Sequence, residues 1–132
     1  MQFDEFVGEV HNRIEAADTG EALSAIRATL QTLAERLHGN EAEHLAAQLP
    51  EELGAYVRLT QKDEIFDLQE FFERVSEREG VELRDAAYHA RVVIDVLSDA
   101  ITLGELNDIR GQLSDDYDPL FEAGSGGNMD VS

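Results

Sequence analysis

The 132-residue chain has no cysteine and no tryptophan, two prolines and a single lysine, Lys62. Without cysteine there is no disulfide framework, no thiolate metal site and no cysteine nucleophile. No apolar run approaches the ~18 residues that a membrane span needs. The opening segment MQFDEFVGEV is acidic and alternates in polarity. It lacks the basic and apolar regions of a secretory signal, so a cytoplasmic protein is expected. Positive charge is scarce: ten Lys+Arg stand against 29 Asp+Glu, a formal net charge of −19. That balance repels phosphate backbones and anionic lipid, so neither nucleic acid nor membrane is an expected partner.

What is present is a globular composition, with 42% apolar and 30% charged residues. The length suits one domain with a core of useful size. Nine of the ten cations are arginine. Acid excess with lysine depletion fits a cytosol of multi-molar salt. There, charge keeps proteins apart and a Debye length of ~3 Å or less screens the self-repulsion.

Helical periodicity runs through nearly the whole chain. Phe3, Phe6, Val7, Val10 and Ile14 form one apolar face. Thr19 is a candidate N-cap for a helix carrying Leu23, Ile26, Leu30, Leu33 and Leu37, with Gly39 as its C-terminal glycine. Short helices follow after Asn40 and at Pro50, and residues 58–65 read as a connector. Asp67 caps a helix carrying Leu68, Phe71, Phe72 and Val75 that ends at Gly80. The segment from about Arg84 to Ala100 is apolar on most sides and should be the most buried helix. Thr102 with Glu105 forms a capping-box pattern, and Ser114 caps a last short helix. Residues 123–132 are Gly/Ser-rich and read as a flexible tail.

The two halves resemble each other. At an offset of 64, Ala22, Arg27, Leu33, Glu41, Gln48 and Leu49 meet Ala86, Arg91, Leu97, Glu105, Gln112 and Leu113. The expected fold is all-α. It is a single domain over residues 1–122, with about eight helices in two four-helix copies (about 3–57 and 66–121) related by a pseudo-twofold.

The stretch LxxLAERLxGNEAxxLAAQLPxEL within residues 22–53, with its second-half counterpart at 85–121, resembles the domain of unknown function 2267 family. The resemblance covers about residues 3–121 and implies an all-helical, cytoplasmic protein. It carries no catalytic or cofactor residues. Ser114 departs from the pattern, which has proline at the matching Pro50.

Candidate chemistry is sparse. Glu35-x-x-His38 and Glu41-x-x-His44 have the i, i+3 spacing with which carboxylate and imidazole can share a metal. The two pairs lie on consecutive helices, however, and neither Glu-x-x-His recurs in the second half. The metal expectation is therefore none, with these four residues as the candidates. His89, with Asp85 one turn before it, is a candidate pocket or proton-handling residue. His11 reads as solvent-facing. Adjacent Phe71 and Phe72 cannot share a helix face, so one of them is expected to be partly exposed; it either covers the junction of the two copies, the favoured reading, or offers a docking point for a partner helix. No serine sits in a nucleophile motif, and no glycine-rich phosphate loop is present. These features point to a non-enzymatic interaction module without a cofactor, whose partner is another protein or a second copy. The alternative is a small-molecule or metal-binding protein with its site between the two copies.

Overall fold

The computed structural model describes residues 1–122; the expected tail at 123–132 lies outside the described residues. It is all-helical, and no strand occurs among the described residues. The helices are α1 (Phe3–Arg13), α2 (Thr19–Arg36), α3 (Glu41–Ala47), α4 (Glu51–Arg58), α5 (Leu68–Glu79), α6 (Leu83–Ala100), α7 (Leu103–Gly111) and α8 (Asp118–Glu122). A 3-10 turn at Asp115–Tyr117 leads into α8.

Local chemistry accounts for most of the boundaries. Asp67 starts α5 by accepting the Glu70 backbone N–H at 2.9 Å. Gly80 ends it in the left-handed region, φ 74°, where an L side chain would be strained. At the start of α2 the capping residue is Asp18, not Thr19: its carboxylate accepts from Glu21 N at 2.9 Å, and Thr19 is the first helical residue. Nor is Gly39 the terminal glycine of α2. The helix stops at Arg36, Leu37 is extended, and Gly39 takes its positive φ of 60° in the turn before α3.

Helix α2 packs on α1, α4, α5 and α6, while α6 packs on α1, α2, α5 and α8. The expectation that α6 alone is central needs amending. Alanines and threonines line α2 on several sides, and it buries eleven residues against eight for α6. One apolar cluster draws on both halves of the chain, with Phe6, Ile26, Leu30, Leu33, Phe71, Ile94 and Leu97 almost fully enclosed. Burying each such side chain contributes roughly 1.5–3 kcal/mol. Helices α3 and α4 approach closely at Gly54, where a Cβ would stand 2.9 Å from the Ala46 carbonyl oxygen.

Both Phe71 and Phe72 are buried, which corrects the expected exposed aromatic. Phe71 meets Phe72 edge-on with centroids 6.2 Å apart, and Tyr117 edge-on at 5.9 Å. Phe72 instead lies under the guanidinium of Arg91 from α6, 5.5 Å from the ring centroid. The two rings point in different directions, as neighbours on a helix must, but protein covers both directions.

Candidate metal-binding seam between α3 and α7

Helices α3 and α7 meet, and two glutamines fasten the segments that lead into them. Gln48 Oε1 accepts the backbone N–H of Thr102 at 2.8 Å, and Gln112 Oε1 accepts the backbone N–H of His38 at 2.8 Å. Gln48 and Gln112 are 64 residues apart, as are His38 and Thr102. The contacts are therefore reciprocal at the offset seen in the sequence.

The clasp has a chemical consequence. In a capping box, Glu105 would turn back to the Thr102 N–H. Here only half of the box forms: Thr102 Oγ1 accepts Glu105 N at 3.1 Å, while the Thr102 N–H is held by Gln48. The Glu105 carboxylate is free to turn toward α3.

There it meets Glu41. Glu41 is 9% and Glu105 6% exposed, and among the described residues no N–H or hydroxyl donor reaches the buried Oε2 of either, so only a proton kept on the pair can join them. One donor atom from each of Glu41, His44 and Glu105 lies within 4.8 Å of the other two. Burial raises the Glu105 pKa to about 8; a hydrogen bond with Glu41, its charge and that of Asp108 push in the same direction. Two buried carboxylates this close do not both ionise without a counter-charge.

Burial is graded across this seam. The two glutamates are buried, whereas His44 and Asp108, each three residues later on its own helix, are exposed. Asp108 lies 64 residues after His44. The arrangement has an acidic floor and a solvent-facing rim; the His44 imidazole belongs to the group within 4.8 Å, and Asp108 lies outside it.

Of the four sequence-predicted metal candidates, the structure brings together Glu41 and His44 and separates off Glu35 and His38. Buried Glu35 is occupied by cations. Arg78 reaches it through Nη1 at 2.9 Å and Nη2 at 2.7 Å, Arg74 through Nη1 at 3.0 Å, and Lys62 at 3.4 Å. Burial alone would raise its pKa, but Arg78 and Arg74 outweigh that and hold it at about 2. His38 turns its Nε2 to Arg36 Nη1 at 3.3 Å. The spacing rule passes over Glu105 because the residue three positions after it is Asp108, not histidine. Carrying Glu41-x-x-His44 forward by 64 gives Glu105-x-x-Asp108, which was the available signal.

The partner of His89 is Glu79, at 2.5 Å from Nδ1, rather than Asp85. Asp85 sits at i−4 on the same helix, whereas Glu79 comes from the end of α5 and is as enclosed as the ring, with 1% of its side chain exposed. Burial lowers the His89 pKa, but Glu79, followed by the charges of Asp85 and Glu21, raises it above the ordinary value. His11, expected to face solvent, is half-buried.

Among the described residues no helix is long and apolar enough to cross a membrane. A family model described as "Uncharacterized conserved protein (DUF2267)" matches residues 3–120. No curated protein matches the chain.

Proposed function

The chain belongs to the DUF2267 family of uncharacterized conserved proteins, and from its own site we propose that it binds a divalent cation at the α3–α7 seam. One observation carries this reading. Two carboxylates more than nine-tenths buried, from opposite halves of the chain, hold unpartnered oxygens beside an exposed imidazole. Buried polar atoms are normally satisfied, and a dication would satisfy both oxygens while cancelling two negative charges. Metal–oxygen and metal–nitrogen bonds of about 2.0–2.2 Å put the donors of a tetrahedral site roughly 3.3–3.6 Å apart. The donor atoms of the seam lie within 4.8 Å of one another, so side-chain rotations that close it by at most about 1.5 Å would complete the contact. The excess of acidic residues supports a salt-rich cytoplasm as the setting of this reading.

The test is calorimetric titration of the chelator-treated protein with Zn2+ and with Mn2+. One ion per chain is expected in the parent and none in the E41Q/E105Q double variant. Absence of stoichiometric binding in the parent overturns the reading.

A second reading, docking of a protein partner, moves away from Phe71 and Phe72 because both are buried. It is favoured instead by Leu59 and Ile65, which are 87% and 80% exposed on the connector between α4 and α5. Self-association or partner binding that survives L59S/I65S removes it.

A further inference from the structure

We propose that the two rim residues, His44 and Asp108, are the third and fourth donors of the seam, and that His44 sets its ion class: zinc or ferrous ion, not magnesium or calcium. This rests on the cation-binding reading above and goes on to assign donors and selectivity.

Glu41 and Glu105 are 64 residues apart, and so are His44 and Asp108. Each rim residue follows its glutamate by three on a helix, the spacing that brings two side chains onto one face. Helices α3 and α7 meet, and the flanking glutamine contacts are reciprocal at the same offset. His44 has its donor atom within 4.8 Å of both glutamates. Asp108 lies outside that group and is exposed, so it would join the donor set by a rotation of its side chain.

Ligand chemistry then selects the ion. Calcium takes six to eight oxygen donors, and magnesium gives up its waters reluctantly. Imidazole suits zinc, iron, nickel and copper. A set of three carboxylates and one imidazole gives zinc a complete four-donor set, whereas its nitrogen is a poor ligand for the oxygen-seeking calcium and magnesium. The asymmetry between the halves matters here: with aspartate on both sides the set would be all oxygen, and with histidine on both sides it would gain a second nitrogen.

Two variants separate donor chemistry from simple charge attraction. H44D adds a negative charge and removes the nitrogen; D108H removes a negative charge and adds one. Both side chains are exposed, so the fold should tolerate either change. Donor chemistry predicts that H44D weakens Zn2+ binding at least tenfold and narrows its lead over Mg2+. It predicts that D108H tightens Zn2+ binding at least tenfold.

An acidic patch that merely attracts cations predicts the reverse: H44D tighter and D108H weaker, for Zn2+, Mg2+ and Ca2+ alike. That result overturns the proposal. Unchanged Zn2+ affinity in D108H removes Asp108 from the donor set and overturns it equally. If the parent binds Mg2+ or Ca2+ as tightly as Zn2+, the ion-class inference fails while the cation-binding reading stands. If the parent binds no ion, both fall.

Discussion

Glu41 and Glu105, from helices 64 residues apart in sequence, bring carboxylate oxygens within 4.8 Å of each other while each keeps a buried, unpartnered Oε2. Without a cation this contact opposes folding. Glu105 is held at about 8 in the folded chain against 4.5 for an ordinary glutamate. The folded state therefore grips the proton more tightly than the unfolded one, and stability from this group falls as pH climbs from 4.5 to 8. E105Q supplies an uncharged isostere. In the presence of a chelator at pH 9 it should be more stable than the parent by about 1–3 kcal/mol, as read by urea denaturation. A less stable E105Q under those conditions would mean that the pair is not repulsive.

His89 and Glu79 behave in the opposite electrostatic sense. The pair joins the end of α5 to α6, and charged His89 neutralises a carboxylate that is 1% exposed, through its Oε2 alone. Because the histidine pKa is raised on folding, its stabilisation is fully present below about 6.5 and is lost as pH rises through the raised value. The groups that hold the charge are Glu79 on α5, Asp85 on α6 and Glu21 on α2. H89A leaves Glu79 buried without its partner and should cost about 3–5 kcal/mol at pH 6, and much less at pH 9. Thermal melts of parent and variant at both values check this; an equal gap at the two pH values would show that the ring acts by packing alone.

The sequence was most legible where short-range chemistry decides. Asp67 and Gly80 mark the ends of α5 because a cap and a left-handed glycine are local devices. The apolar faces of α1, α2, α5 and α6 follow the helical period, which is set by side chains three and four apart. Contacts between distant segments were less legible. Nothing near His89 distinguishes Asp85, one turn away on the same helix, from Glu79 across a tertiary contact. Glu35 looked like a metal ligand until Arg74 and Arg78 from α5 took its oxygens. The Glu41–Glu105 contact lay between these cases. The repeat offset paired the two residues on paper, but only the turn of Glu105 away from its own cap, forced by Gln48, made them neighbours.

The charge of −19 on 132 residues leads to an expectation about salt. Self-repulsion destabilises the compact state, and concentrated KCl screens it to a few ångströms. The Tm should rise by roughly 5 °C or more between 0.1 M and 3 M KCl, the equivalent of about 1 kcal/mol for a chain of this size. Differential scanning calorimetry of the chelator-treated protein measures it without interference from the metal. A Tm equal at both concentrations removes the salt-rich setting and leaves the acidity as a matter of solubility alone.

Glu35 anchors a second buried ion-pair cluster, with the opposite pH dependence to His89. Its carboxylate is 4% exposed and takes a two-point contact from Arg78 and a further bond from Arg74, whose own guanidinium also reaches Glu64 and Glu70. Arg74 lies 3.8 Å over the Phe66 ring as well, so the cluster ties α2 to α5 and to the connector. A carboxyl held at about 2, where 4.5 is ordinary, contributes about 3 kcal/mol at neutral pH. That contribution is present above pH 4.5 and is lost as pH falls toward 2. E35Q keeps the shape but offers one neutral oxygen to two guanidiniums, so it should lose about 3 kcal/mol at pH 7 and almost nothing at pH 2. Lys62 is 58% exposed at its side chain, and K62A should stay within roughly 0.5 kcal/mol of the parent. A cycle of E35Q, R78A and the double variant, read by urea denaturation at pH 7, isolates the pair. A coupling near zero would mean that the arginines stabilise α5 through Phe66 and their other acidic neighbours, with Glu35 carried along.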